Sequence, residues 1–284
     1  MPNIRDIKTR IESVKSTKQI TNAMKMVAAS KLRKAQNNIE QARPYADHIN
    51  VMLQTLKRKN TKNQHPLLVD IPDKGKKAFL VVTSDRGLCG AFNSNIIRKA
   101  IHYLNKNPET EVICIGKKGY DFLKKHITNK IKEKYIGLFN EMDFSVSREV
   151  ASFLLELFLR ENYTKIEVLY NEFKSAIQQD IVVKQLLPVI PVESEEISSL
   201  DFIYEPDEKT IIEELSRKYI NVEIWRIMLE SSAAEQGARM TAMDSATENA
   251  TELIGSLTLF YNRARQAAIT KEIIEIASGA EALK

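Results

Sequence analysis

The sequence predicts an α/β protein in which long N- and C-terminal helices pair as an antiparallel coiled coil and a Rossmann-like α/β domain is inserted between them. Three observations carry that expectation. An apolar heptad runs from Ile4 to Leu56, and another starts at Met240 and continues toward the C-terminus. Between them, short apolar runs alternate with helical patterns, as in a largely parallel sheet with crossover helices. The expected boundaries are 1–58 for the N-terminal helix, 76–190 for the α/β domain and 207–284 for the C-terminal helix.

The first heptad comprises Ile4, Ile7, Ile11, Val14, Lys18, Thr21, Lys25, Ala28, Leu32, Ala35, Ile39, Ala42, Ala46, Ile49, Leu53 and Leu56. Only Lys18, Thr21 and Lys25 break it, and there Ile20, Met24 and Val27 are expected to carry the apolar stripe to another face. Pro44 is expected to kink or interrupt the helix, because it lacks an N–H and clashes with the preceding turn. Strands are expected at Phe79–Thr83, Val112–Ile115, Lys165–Tyr170 and Ile181–Lys184. Helices are expected at Asn93–Leu104, Lys118–His126 and Ser145–Glu161. Breaker-rich stretches at Lys59–Lys77 and Pro188–Pro206 read as linkers.

The C-terminal segment has no proline between Asp207 and Lys284, which allows a helix on the order of 100 Å long. Its stripe runs Met240, Met243, Thr247, Ala250, Ile254, Leu257, Tyr261, Ala264, then slips by one residue to Ile269, Ile273, Ile276, Ala280 and Leu283. Of the 21 residues from Ser231 to Thr251, 13 are Ala, Gly, Ser or Thr, so another helix can approach closely.

Charge is unevenly distributed. Residues 1–60 carry 13 Lys/Arg against 4 Asp/Glu, whereas residues 207–284 carry 9 against 13. A basic end and an acidic end fit mutual pairing, although burial of the two seams should outweigh surface ion pairs. Two cysteines, Cys89 and Cys114, suit a reducing compartment. No apolar run approaches the roughly 18 residues of a membrane span. The N-terminus reads as helix rather than as a signal or transit peptide.

The stretch TSDRGLCGAFN, Thr83–Asn93, follows an apolar strand and leads into a helix, which is how phosphate and catalytic sites are often built. The chemistry is missing. A P-loop needs Lys-Ser/Thr after its glycines, and here Ala91 and Phe92 follow Gly90. A dinucleotide fingerprint needs three glycines, and only Gly87 and Gly90 are present. Arg86 would lower the pKa of Cys89, yet His48, His65, His102 and His126 form no recognisable motif that supplies a base. No His/Cys pair has metal-ligand spacing, and Glu195–Glu196 sit in a polar linker. The basic first helix, with Lys31, Arg33 and Lys34, lacks the aromatics of a nucleic-acid face and fits an acidic protein surface better.

Four blocks then carry a family resemblance. They are Thr9–Gln36, Thr83–Asn93, Ala233–Ala250 (AAEQGARMTAMDSATENA) and Leu259–Leu283. In order and along the whole chain, they resemble the gamma subunit of the F-type ATP synthase. The resemblance implies a rotor with no catalysis, cofactor or metal of its own. Its paired terminal helices would be lodged in a hexamer of alpha and beta subunits. Its α/β domain would rest on the membrane-embedded c-ring and grip the epsilon subunit. Nucleic acid is not an expected partner.

By matching positions, the resemblance assigns Met24, Lys31 and Lys34 to the face toward the beta lever loops, and Arg86 and Cys89 to a collar passing those loops. Arg265, Gln266 and Thr270 would contact an upper beta loop, with Ile273 to Leu283 in an apolar bearing. Tyr204 and Glu205 would lie nearest the c-ring. Ala234 and Gly237 stand where relatives more often have Ser and Ala, and Gly237 should weaken the helix by up to ~1 kcal/mol. The linker lacks the thiol switch of the chloroplast form. The implied location is the cytoplasmic face of a bacterial plasma (inner) membrane, with membrane association only through the complex.

Overall fold

The computed structural model describes residues 4–59, 66–69, 75–139, 142–161, 163–190, 205 and 207–282. Two helices dominate it, α1 (Ile4–Lys59) and α5 (Glu208–Ala282). Contacts divide the chain into two compact units, one of Met1–Ala28 with Met240–Lys284 and the other of Ala29–Arg239.

The first unit is a helix pair. Ile7, Ile11, Thr21 and Ala28 of α1 are buried, as are Met243 and Ala250 of α5, so the heptads do mark the seam. Thr21 meets Thr247, their hydroxyl oxygens 2.8 Å apart, and Lys25 pairs with Asp244 at 2.5 Å. The helices therefore run antiparallel. The expected shift of the stripe at Lys18–Lys25 does not occur. Ile20 and Val27 are more than half exposed, and Met24 is half-buried. The seam instead stays in register, and Thr21 and Lys25 find polar partners across the pair. At this offset Ile4 stands opposite about residue 264. Residues 265–282 thus extend roughly 27 Å past the described start of α1. Ile269, Ile273 and Ile276 are exposed there, because no facing helix covers them.

The second unit is built on a five-stranded sheet. Its strands are β1 (Lys76–Val82), β2 (Thr110–Ile115), β3 (Ile131–Tyr135), β4 (Tyr163–Phe173) and β5 (Gln179–Leu187), in the order β3-β2-β1-β4-β5. All pairings are parallel except β4 with β5. The helices α2 (Phe92–Lys106) and α3 (Lys117–Ile127) cover one face, over Phe79, Val81, Val112, Cys114 and Leu169. The other face carries Leu80, Val82, Ile113, Ile115 and Val168. It packs against α4 (Phe144–Arg160), Ala46, Ile49 and Leu53 of α1, and Ile220, Ile224 and Ile227 of α5. A sheet buried on both faces explains its near-continuous apolar strands.

Three details differ from the expectations. β3 was not foreseen, since Ile131–Tyr135 alternates Lys and Glu and sits at the sheet edge, where charge prevents edge-to-edge association. Pro44 does not interrupt α1. It lies on the exposed side of the helix, where loss of one backbone hydrogen bond costs least. The stretch Lys59–Lys77 is not wholly a solvated linker, because Leu67 and Leu68 are core residues and the Leu67 carbonyl accepts from Val189 N–H at 2.7 Å.

Candidate functional site

In doubly wound sheets, ligands bind in the crevice outside the carboxyl ends of strands where the chain reverses direction across the sheet. Here β1 leads through α2 to β2 on one side, and β3 leads through α4 to β4 on the other. The crevice therefore lies between the carboxyl ends of β1 and β4. Those ends carry the loop Thr83–Ala91 and the β4–β5 turn.

That crevice is filled by α5. Ala234 packs against Cys89 and Phe92, with Phe173 and Ala238 beside them. Gly237 lies against the turn: a Cβ at this position would stand 3.1 Å from the Ala176 carbonyl oxygen and 3.2 Å from its Cα. The glycine that costs helix stability is what lets α5 come this close. Arg239 donates from Nη2 to the Gly87 carbonyl at 3.2 Å and pairs with Glu235 at 2.7 Å. Both charged residues are buried.

The loop is tied at each step. Asn93 accepts the Ser84 N–H at 3.0 Å, and Ser84 Oγ donates to the Arg86 carbonyl at 2.6 Å. Gly90 has φ 55°, a left-handed turn that favours glycine, and the Phe92 N–H donates to the Cys89 carbonyl at 3.2 Å. Asp85 Oδ1 accepts from the Lys117 and Gly137 N–H groups at 3.0 Å each. The N-terminus of α3, which could attract an anion, thus takes the protein's own carboxylate.

Electrostatics follow from burial. Cys89 is 2% exposed, and burial pushes its thiol above the ordinary range, opposed by the Arg239 charge and a hydrogen bond with Ser84. The thiol stays protonated at neutral pH and is a poor nucleophile. Burial likewise raises the Glu235 carboxyl, which the Arg239 and Lys31 charges draw back down. Among the described residues, no group of three or more His, Cys, Asp or Glu is arranged to hold a metal ion. No helix among them is long and apolar enough to cross a membrane.

The residues singled out from the sequence fall in several places. Arg86 is exposed on the loop, whereas Cys89 points inward and marks the loop rather than offering a side chain. Lys31 and Lys34 are exposed on α1, and Met24 is half-buried in the helix pair. Arg265, Gln266 and Thr270 are exposed on the overhanging end of α5, where Thr270 Oγ1 donates to the Gln266 carbonyl at 2.9 Å. Glu205 is exposed, and Tyr204 lies outside the described residues. Sequence reasoning passed over Leu88, which is 65% exposed with φ 61°, and the Glu235–Arg239 pair. A Glu and an Arg four residues apart in a stretch of small residues were the available signal.

Comparison with known proteins decides what this arrangement belongs to. A family model described as ATP synthase matches residues 3–283. The ATP synthase gamma chain of Prosthecochloris aestuarii is 48% identical, with 100% of this chain and 99% of the relative covered. That of Geobacter sp. is 46% identical, with both chains covered in full. The chain belongs to the ATP synthase gamma-chain family. A solved structure titled as the central stalk and c-ring of the Tetrahymena thermophila mitochondrial ATP synthase has a chain with TM-score 0.62 and 26% identity, covering 80% of this chain and 99% of that one. A Euglena gracilis mitochondrial ATP synthase chain, at TM-score 0.69 and 21% identity, covers 99% and 94% and shares the fold. As a gamma chain, the protein is the central-stalk rotor subunit of an ATP synthase, one subunit of an enzyme complex.

Proposed function

We propose that this gamma chain transmits torque and performs no chemistry of its own. The observation that carries the reading is the filled crevice: the place where a sheet of this topology binds its ligand is taken by Ala234, Gly237 and Arg239 of α5. The domain serves as an anchorage for a helix. Residues 1–58 and 207–284 are the shaft segments, and residues 76–190 are the foot.

In this reading the helices turn within a hexamer of alpha and beta subunits, and each beta site is carried in turn through binding, synthesis and release. Coupling of this kind runs both ways. Met24, Lys31 and Lys34 face the beta lever loops, and the collar of Arg86 to Cys89 passes the same loops. Arg265, Gln266 and Thr270 meet an upper beta loop. Tyr204 and Glu205 lie toward the c-ring, and epsilon grips the α/β domain. The exposed Ile273, Ile274 and Ile276 supply an apolar bearing. Nucleic acid and cofactors have no part in this scheme, and the complex holds the chain at the cytoplasmic face of the bacterial plasma membrane.

A complex carrying Arg86→Cys, disulfide-linked to a cysteine in a beta lever loop, tests the reading. ATP hydrolysis should stop while the bond stands and return on reduction. Full turnover in the linked complex would refute it, as would ATP hydrolysis by the purified chain alone.

A further inference from the structure

We propose that Arg239 is the positioning residue of the collar, holding the Gly87–Leu88 peptide in the orientation that presents Arg86 and Leu88. The inference rests on the collar reading given under Proposed function and adds the device that sets the collar's shape.

Leu88 has φ 61°, a conformation that strains a residue with a branched side chain, and it is 65% exposed. A strained, exposed leucine persists only where its neighbours are fixed. On its N-terminal side the Arg86 carbonyl accepts from Ser84 Oγ at 2.6 Å. On its C-terminal side Cys89 is buried among Phe92 and Ala234, and its carbonyl accepts from Phe92 N–H. Between these anchors, rotation of the Gly87–Leu88 peptide plane would carry Leu88 back to negative φ. The oxygen of that plane is the one Arg239 grips, at 3.2 Å.

Arg239 is suited to the task. It is 8% exposed and Glu235 is 5% exposed, so the pair is taken out of water, a state that is costly without further hydrogen bonds. Glu235 at 2.7 Å and Gln236 at 3.2 Å fix the guanidinium plane from one helical turn, leaving an N–H directed out of the helix. An apolar pair would fill this space at lower desolvation cost. What it would lack is the donor for Gly87.

The test uses the assembled complex with Arg239→Met, with Glu235→Met/Arg239→Met, and with Arg239→Lys. The double variant replaces the pair by apolar chains that keep the helix packed, so it reports on the loop even if the single variant accumulates poorly. Thiol labelling reads the loop at Cys89, with the buried Cys114 as internal reference, and ions pumped (protons or sodium) per ATP hydrolysed read coupling. Both methionine variants should label Cys89 about ten-fold faster, with Cys114 unchanged, and pump about two-fold less per ATP. Arg239→Lys, which keeps a donor in reach of Gly87, should recover most of both. Cys89 labelling at the wild-type rate in the double variant would overturn the inference. If labelling rises while pumping holds in these variants, the positioning role in coupling fails. If Arg86→Ala also pumps normally, the collar reading itself is refuted.

Discussion

The hydroxyls of Thr21 and Thr247 lie 2.8 Å apart in the seam of the helix pair, at positions where a regular heptad would place two apolar side chains. Each hydroxyl also has a carbonyl of its own helix within reach, Lys18 at 3.1 Å from Thr21 and Met243 at 2.7 Å from Thr247, so one threonine donates across the seam while the other donates along its helix. Replacing both threonines by valine removes both polar groups together and keeps their shape. The double variant should be neutral or more stable by up to about 1 kcal/mol, whereas Thr21→Val alone should lose about 1 kcal/mol. Denaturant melts of the full chain distinguish the two.

Gly237 sets two effects against each other. Alanine gains about 1 kcal/mol of helix propensity, but its Cβ would press on the Ala176 backbone, at 3.1 Å from the carbonyl oxygen that Gln179 Nε2 also holds. The β4–β5 turn has to give by a few tenths of an ångström. Gly237→Ala should therefore change stability by less than about 0.5 kcal/mol, while Gly237→Val should cost roughly 2 kcal/mol or more through overpacking. Thermal unfolding of the three chains checks the ordering.

Gly237 also shows where sequence reading stopped. Propensity alone marks it as a weak point in a helix, because the neighbour that requires it is 61 residues away in a turn. The long-range features that were legible came from periodicity: the buried Ile7, Ile11, Leu32, Ile39 and Leu53 all lie on the heptad. Periodicity misled at Ile20 and Val27, since it cannot register that Thr21 and Lys25 find polar partners across the seam. β3 was hidden because an edge strand made of Ile, Lys and Glu carries no apolar signal. The loop Thr83–Asn93 was visible as a strand–turn–helix. That its crevice holds Arg239 was not, because the two segments are 152 residues apart.

Burial pushes the Cys114 thiol up to about 12 from an ordinary value of 9.0. The folded state keeps this proton longer than the unfolded state does. Its contribution is thus fully present below pH 9 and lost as pH rises toward 12, by roughly 1.4 kcal/mol per pH unit. Denaturant stability of the wild type should fall more steeply between pH 9 and 10.5 than that of Cys114→Ala, by about 2 kcal/mol over that interval. Equal slopes would contradict this account.

At the end of α5, Ile273 and Ile276 are 61% and 73% exposed, so the folded chain gains little from them. Changing both to glutamine should alter the stability of the isolated chain by less than about 0.5 kcal/mol. In the assembled complex the same variant should lower steady-state ATP hydrolysis, if these residues form the bearing. Unfolding curves of the chain and turnover of the complex together separate the two effects.

The Lys25–Asp244 pair is partly exposed, with side chains at 38% and 45%. Asp244→Asn should cost less than about 1 kcal/mol and the loss should shrink in high salt. A chemical melt at two ionic strengths checks it.

The central claim is that this chain turns relative to the catalytic subunits and that its turning is obligatory for their cycling. Rotation of a probe fixed to the exposed surface of the α/β domain, observed in single complexes immobilised through the alpha–beta hexamer, tests this most directly. The account predicts unidirectional rotation on addition of ATP, with hydrolysis and rotation stopping together when the collar is disulfide-linked at position 86. Undiminished hydrolysis with the chain held stationary would contradict it.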